Sequence, residues 1–282
     1  MPIFRNDYMG RRKVVMWKWE AEGQPKAVVV IVHSAFEHHR WYAWLIEKLR
    51  VDGCHVVMGD LPGHGEESKY TRIHDETLNE YINYIHGMMQ SALTYELPVY
   101  LIGHGLGGTL AVQYLKKHKV ECAGIILSSP WFALQKLSNT LKSTLANLGS
   151  LTSNMKLSLD INKKALTNSL QGYQEIDDEL VYKTHVTVSW YKEIQLLMKN
   201  LTTPATSQLS IPILLMTAKK DKITEIDQAR KWLLLQTSSE FQFKEWPFSY
   251  HNLFHDMERE QVFLYIRDFI NNTTRGIGYI VE

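Results

Sequence analysis

Cysteine is scarce: the 282 residues hold two, Cys54 and Cys122. Two thiols make no disulfide framework. Each opens an apolar run, so both read as reduced core residues, and a cytoplasmic location is the matching expectation. An excess of one charge is also lacking, because 31 basic residues face 30 acidic ones. That balance gives no electrostatic case for a nucleic-acid partner. No apolar run near the N-terminus can span a bilayer, since Ala27 to Val32 stops after six residues. Residues 1–15 mix polar and basic side chains without the apolar core of a signal peptide, and they read as an extension or leader. Repeats and low-complexity tracts are missing. His38 and His39 are adjacent, but no Cys or His at ligand spacing joins them, so neither a metal nor a cofactor is expected.

What is present alternates. With 45% hydrophobic residues the chain can bury a large core, and one α/β domain with an insertion fits best. Met16 to Glu20 alternates like an edge strand. Ala27 to Val32 is a β-branched run of the kind buried on both faces. Further strands are expected at 54–58, 98–104, 123–129, 211–218 and 241–246. Helices are expected at 41–50, 77–93, 109–117 and 261–271. Strands alternating with helices imply a mainly parallel central sheet with helices on both faces. The rhythm breaks between residues 131 and 201. Leu134, Leu137, Leu141, Leu145 and Leu148 recur at helical spacing there, no clear strand shows, and a second helical stretch runs over about 177–198. The expected organisation is a core of residues 16–130 and 202–271, a helical cap at 131–201, and a loosely held tail at 272–282. Ordinary covering helices are the plainer reading of the same pattern.

Leu101-Ile102-Gly103-His104-Gly105-Leu106-Gly107-Gly108 lies at the centre of this order. A strand leads in and a helix leads out, with glycines two before and two after the bend. That is the layout of a nucleophile elbow, G-x-S-x-G. The serine is missing, and Gly105 stands at its position. Gly103, Gly105 and Gly108 also spell G-x-G-x-x-G, a dinucleotide signature. The strand that follows carries no carboxylate for a ribose, and two strands already precede the elbow, which disfavours that reading. Elbow enzymes place an acid and then a histidine later in the chain, each after a strand. Asp221 follows the strand ending at Ala218, and His251 follows the strand ending at Trp246.

Six segments together carry a resemblance: His33-Ser34-Ala35-Phe36-Glu37-His38, Asp60-Leu61-Pro62-Gly63-His64-Gly65, Gly103 to Gly108, Ser128-Ser129-Pro130, and the Asp221 and His251 loops. The chain resembles the monoacylglycerol lipase and lysophospholipase branch of the α/β-hydrolases, including the lysophospholipases of bacilli. The resemblance implies an α/β-hydrolase fold with a cap, and a carboxylic-ester hydrolase acting on single-chain lipids or small esters. It makes His251 the general base and Asp221 the group that orients it. His255, one helical turn away, is a weaker candidate for the base. The backbone N–H groups of Ala35 and Leu106 would form the oxyanion hole. Phe36, Trp131, Phe132 and Trp190, with Tyr191 beside it, are candidates to line an acyl cavity, and Arg40 is a candidate head-group contact. The implied partner is a small acyl ester or lipid, with transient contact at a membrane surface. Nothing in the sequence sets an oligomeric state.

Two departures from the family pattern matter. The family has His-Gly where this chain has His33-Ser34, and Ser34 is expected to narrow the site or shift Ala35. The second departure is Gly105. A side chain at an elbow costs about 1–3 kcal/mol of backbone strain, which glycine avoids, so Gly105→Ser is expected to lower stability. Losing a triad nucleophile can remove about 10⁶ in kcat, so the chain is expected to be nearly inert as a serine esterase. Three accounts stay open at this point. The serine was removed deliberately, or the chain is a natural pseudoenzyme that binds an acyl ligand or a partner, or another nucleophile serves. For the last, Ser34 and a water activated by His251 are the candidates.

Overall fold

The computed structural model describes residues 5–9, 12–69, 73–135, 154–159, 161–177, 185–203, 208–238 and 240–276. Ten strands occur among them: β1 (Arg5–Met9), β2 (Arg12–Trp19), β3 (Ala27–Val32), β4 (Cys54–Gly59), β5 (Val99–His104), β6 (Gly124–Ser128), β7 (Lys156–Ser158), β8 (His185–Thr187), β9 (Ile213–Ala218) and β10 (Phe241–Trp246). Eight make one sheet in the order β1-β2-β4-β3-β5-β6-β9-β10. β1 and β2 run antiparallel, and every pairing from β4 to β10 is parallel. The main helices are α1 (Ala43–Val51), α2 (Leu78–Leu93), α3 (Leu106–Lys117), α4 (Lys163–Leu166), α5 (Leu170–Glu175), α6 (Val188–Leu201), α7 (Ile226–Leu234) and α8 (Arg259–Gly276). This is the mainly parallel sheet expected from the alternation of strands and helices, and it matches the fold that the resemblance implies.

The apolar runs explain the centre of the sheet. All six residues of β3, of β5 and of β9 are buried, as strands covered on both faces require. Thr77 starts α2 with a reciprocal capping box: its Oγ1 accepts from Glu80 N, and Glu80 Oε2 accepts from Thr77 N at 2.8 Å. Helix α3 starts pressed against the sheet. A Cβ on Gly103 would lie 2.5 Å from Gly108 Cα, and one on Gly107 would overlap the carbonyl oxygens of Val32 and His33. Those partners are backbone and cannot turn aside. Gly107→Ala is therefore expected to destabilise the fold by at least about 2 kcal/mol, read from the urea unfolding midpoint. A loss under about 0.5 kcal/mol would mean the helix can retreat.

Four expectations need correction. The edge strand begins at Arg12, not Met16, and β1 pairs outside it, so Arg5–Met9 and Arg12–Val15 are sheet residues. The insertion was expected to lack strands, yet β7 and β8 pair as a short antiparallel ribbon. Its second helix begins at Val188, capped by Thr187, not near 177. The closing helix α8 runs on to Gly276, past the expected end at 271. Tyr100 contributes there, because its hydroxyl meets Thr273 Oγ1 at 2.7 Å and Thr274 Oγ1 at 2.8 Å. Leu137, Leu141, Leu145 and Leu148 lie outside the described residues.

The inserted segment is tied to the core along two seams. On one, His74 N donates to His185 O at 3.1 Å, Thr187 N donates to His74 O at 3.0 Å, and Trp190 Nε1 donates to Tyr81 Oη at 3.0 Å. On the other, Asn252 N donates to Leu166 O at 2.8 Å and Thr167 Oγ1 donates to His255 O at 2.7 Å. Among the described residues no helix is long and apolar enough to cross a membrane.

Candidate active site

The site lies at the C-terminal ends of β3, β5, β6, β9 and β10. Gly105 sits in the bend between β5 and α3, at φ 52° and ψ −120°. That backbone is open to glycine and strained for a residue with Cβ, as an elbow position requires. Its N–H donates to Ser128 O at 2.9 Å, and its carbonyl accepts from Trp131 N at 3.1 Å.

The acid and the histidine meet. His251 Nδ1 is 2.8 Å from Asp221 Oδ2, and both residues are buried. Asp221 is further held by Ile223 N at 2.7 Å, Thr224 N at 3.0 Å and Thr224 Oγ1 at 2.6 Å. Burial pushes its carboxyl up, but the His251 imidazole and the Thr224 donors outweigh that and hold it below the usual carboxylate range. Asp221 therefore stays ionised and fixes Nδ1–H on His251, leaving the Nε2 lone pair to face the Trp131 indole N–H. Among the described residues His255 has no carboxylate hydrogen-bonded to its ring. Its Nδ1 meets Asn252 Oδ1 at 3.1 Å, and burial pushes its imidazole down to about 4.

Ser34 fills the space beside Gly105. A Cβ built on Gly105 would overlap Ser34 Oγ, with Ser34 Cβ at 2.8 Å and Trp131 Nε1 at 3.1 Å. Ser34 Oγ accepts from Leu106 N at 3.1 Å. One of the two backbone donors expected to form the oxyanion hole is thus already engaged. The other, Ala35 N–H, meets no acceptor among the described residues. Trp131 Nε1 points at His251 Nε2 from 3.4 Å, a long and weak bond.

Glu37 braces the loop after β3, a role that no pattern in the sequence points to. It accepts from Ser34 N at 3.1 Å, Tyr42 Oη at 2.6 Å and Asn252 Nδ2 at 3.0 Å. Burial raises its carboxyl, but His104, whose Nε2 lies 3.5 Å away, and the Tyr42 hydrogen bond bring it down to about 2. Asn252 joins this loop to the loop bearing His251. The place of Glu37 within the segment His33-Ser34-Ala35-Phe36-Glu37-His38 is its only signal in the sequence. Phe36, beside it, has a positive φ of 67°.

A narrow cleft with a free volume of about 30 Å³, which widens to about 400 Å³ when its open mouth is counted, reaches this centre. Ser34, Ala35, Phe36, Trp131 and His251 line it, and Trp41, Ile161, Leu166 and Ile223 make its apolar wall. Three candidates for substrate contact are placed elsewhere. Phe132 packs on Trp232 with ring centroids 4.7 Å apart. Trp190 is buried and bonded to Tyr81. Arg40 is exposed and paired with Glu66 at 3.3 Å. Each is taken up by packing or by a surface ion pair, and none lines the cleft among the described residues. Among the described residues no cluster of three or more His, Cys, Asp or Glu could hold a metal ion.

Comparison with known proteins agrees with this fold. The family described as serine aminopeptidase, S33 (Hydrolase_4) matches residues 23–258. Phospholipase YtpA of Bacillus subtilis is 35% identical over 256 residues, covering 90% of this chain and 98% of the relative. Human monoglyceride lipase is 25% identical, covering 92% of this chain and 87% of the relative. The crystal structure of a soluble variant of monoglyceride lipase from Saccharomyces cerevisiae, in complex with a substrate analog, superposes with a TM-score of 0.85. Its identity is 17%, with 96% of each chain covered, so it speaks to the fold alone.

Proposed function

The chain belongs to the Hydrolase_4 family of α/β-hydrolases, in its monoglyceride lipase and lysophospholipase branch, and from that membership we propose that it holds a single-chain acyl ligand without cleaving it. In this reading Gly105 occupies the nucleophile position. His251 and Asp221 are the retained base and its orienting acid; of the two oxyanion donors Ala35 N–H is retained, while Leu106 N–H is taken by Ser34 Oγ. Residues 154–201 act as part of the cap.

One observation carries the reading: Ser34 Oγ stands where a serine at position 105 would place its Cβ. A serine removed by itself would leave that space open, whereas here a second residue fills it and engages Leu106 N–H. The Trp131 indole N–H at His251 Nε2 points the same way. Ser34 is a poor replacement nucleophile, because its hydroxyl is drawn into the oxyanion position that its own reaction would need. The apolar wall of the cleft suits an alkyl chain, each buried CH₂ contributing about 0.8 kcal/mol.

Calorimetry with monodecanoylglycerol, with recovery of the ligand by chromatography, tests this. The expected result is saturable binding with the ester recovered intact, and nitrophenyl butyrate hydrolysed no faster than in buffer. Ester turnover that disappears in His251→Ala would overturn it and return the chain to the working hydrolases.

A further inference from the structure

We infer that His64 is the trigger of an acid-operated latch: a proton taken from solvent onto its Nε2 parts the inserted segment from the core at His74, while the sheet stays folded. The inference goes beyond the acyl-binder reading and does not depend on what the cleft holds.

His64 sits under the seam. Its ring is buried and stacked on the His74 ring, with centroids 4.3 Å apart and planes at 28°. The His74 backbone is what the insertion grips, its N–H donating to His185 O at 3.1 Å and its carbonyl accepting from Thr187 N at 3.0 Å. Glu76 and Tyr81 carry the contact further. Tyr81 Oη donates to Glu76 Oε2 at 3.5 Å and accepts from Trp190 Nε1 of the insertion at 3.0 Å. The Phe36 ring, which lines the cleft, packs on His74 with centroids 5.2 Å apart. The latch therefore reaches the cleft wall.

The closed seam accepts a neutral His64. Its Nδ1 donates to Pro62 O at 3.0 Å, and its Nε2 is buried and meets no partner among the described residues. A proton there would put a charged ring and an unmet donor out of reach of water, which is costly. The facing groups do not relieve it. His33, with its ring 5.1 Å away, is held neutral, its Nδ1 donating to Ser34 O at 2.7 Å and its Nε2 accepting from Leu61 N at 2.8 Å. His74 is a further imidazole, and the Tyr81 ring stands 6.3 Å away. Glu76, whose carboxylate is pressed against Gly63, favours the proton. Burial and the two neighbouring imidazoles outweigh it and hold His64 well below its ordinary value. On the same loop, Asp60 accepts from His39 N and Glu67 accepts from Gly63 N. On the insertion side His185 is exposed. Once the seam parts, the ring reaches water and takes a proton at about 6.5. Below that pH the open form alone is protonated, so falling pH favours opening.

Amide hydrogen exchange of His74 and Thr187 tests this, read by NMR from pH 7.5 to 5 and corrected for intrinsic rates. One imidazole released to water is expected to lower protection at both amides about thirtyfold over that range. The opening is expected to depend little on urea, whereas Ile102 in β5 exchanges far more slowly and follows urea as global unfolding does. The His64 ring should keep the NMR shift of a neutral imidazole down to pH 5. His64→Phe and His64→Gln, with folding checked by circular dichroism, are expected to flatten the fall to within about threefold. Protection that stays level with pH overturns the latch, and so does a fall shared equally by Ile102, which is global unfolding. Titration of the His64 ring near 6.5 in the closed chain, or a full fall in either folded variant, overturns its role as the trigger.

Discussion

Ser34→Gly combined with Gly105→Ser is expected to hydrolyse nitrophenyl butyrate at least about a thousandfold faster than Gly105→Ser alone. The loss of a triad nucleophile is worth up to about 10⁶ in kcat, so there is room for a gain of this size. The single change cannot collect it. A Cβ on Gly105 overlaps Ser34 Oγ and approaches Ser34 Cβ to 2.8 Å. The φ of 52° adds the strain of a side chain in the left-handed region, about 1–3 kcal/mol. Gly105→Ser alone should therefore melt lower than the parent chain and remain nearly inert. Removing the Ser34 side chain opens the space and frees Leu106 N–H as an oxyanion donor in one step. Trp131 Nε1, 3.1 Å from the same Cβ position, must then yield His251 Nε2 to the new hydroxyl. The check is a double-mutant cycle on kcat/KM and on Tm. Additive effects of the two substitutions would show that Ser34 does not occupy the seat.

The second large effect is acid sensitivity. His33, His64 and His255 are buried, and burial is the main cause that lowers each imidazole from its ordinary value of 6.5. For His255 the lowering reaches about 4. The folded chain keeps these rings neutral, while the unfolded chain protonates them as pH falls through about 6.5. The unfolded state then binds more protons, so stability falls with falling pH; for His255, neutral in the folded chain down to about 4, the slope is about 1.4 kcal/mol per pH unit. For His255 the whole loss is about 3 kcal/mol, complete near pH 4. Glu37 and Asp221 are lowered instead, so their contribution is lost only below the ordinary carboxylate range. The window between about pH 6.5 and 4.5 therefore belongs to the histidines. Urea unfolding across that window should show a steep decline in free energy. A flat profile from pH 7.5 to 5 would mean that these rings are protonated in the folded chain.

The core of the sheet was legible because its strands are β-branched runs ended by loops, a pattern that depends on few distant residues. The elbow, Asp221 and His251 were legible because each follows a strand in a fixed chain order. The ribbon of β7 and β8 was not, since three residues such as Lys156-Leu157-Ser158 carry no periodicity. Trp131 was read as an aromatic wall, but its contact with His251 spans 120 positions and no local pattern could report it. Phe132 and Trp190 shared the same apolar signal and were drawn into packing instead. Ser34 was visible as a departure that would narrow the site or shift Ala35, and the structure has it crowding the site. Its seat beside Gly105 required the fold, because 71 positions of chain separate two atoms that compete for one space.

The seam between Leu166 and the His251 loop has a mechanical consequence. Asn252 N is bonded to Leu166 O and His255 O to Thr167 Oγ1, so the insertion grips the loop just past the imidazole. Local opening of this seam would expose Asn252 N–H, and opening of the other seam would expose His74 and Thr187 N–H. These three amides are the ones whose hydrogen exchange would report each hinge separately. A ligand lodged beneath both should slow all three together, whereas independent hinges would let one exchange while the others stay protected.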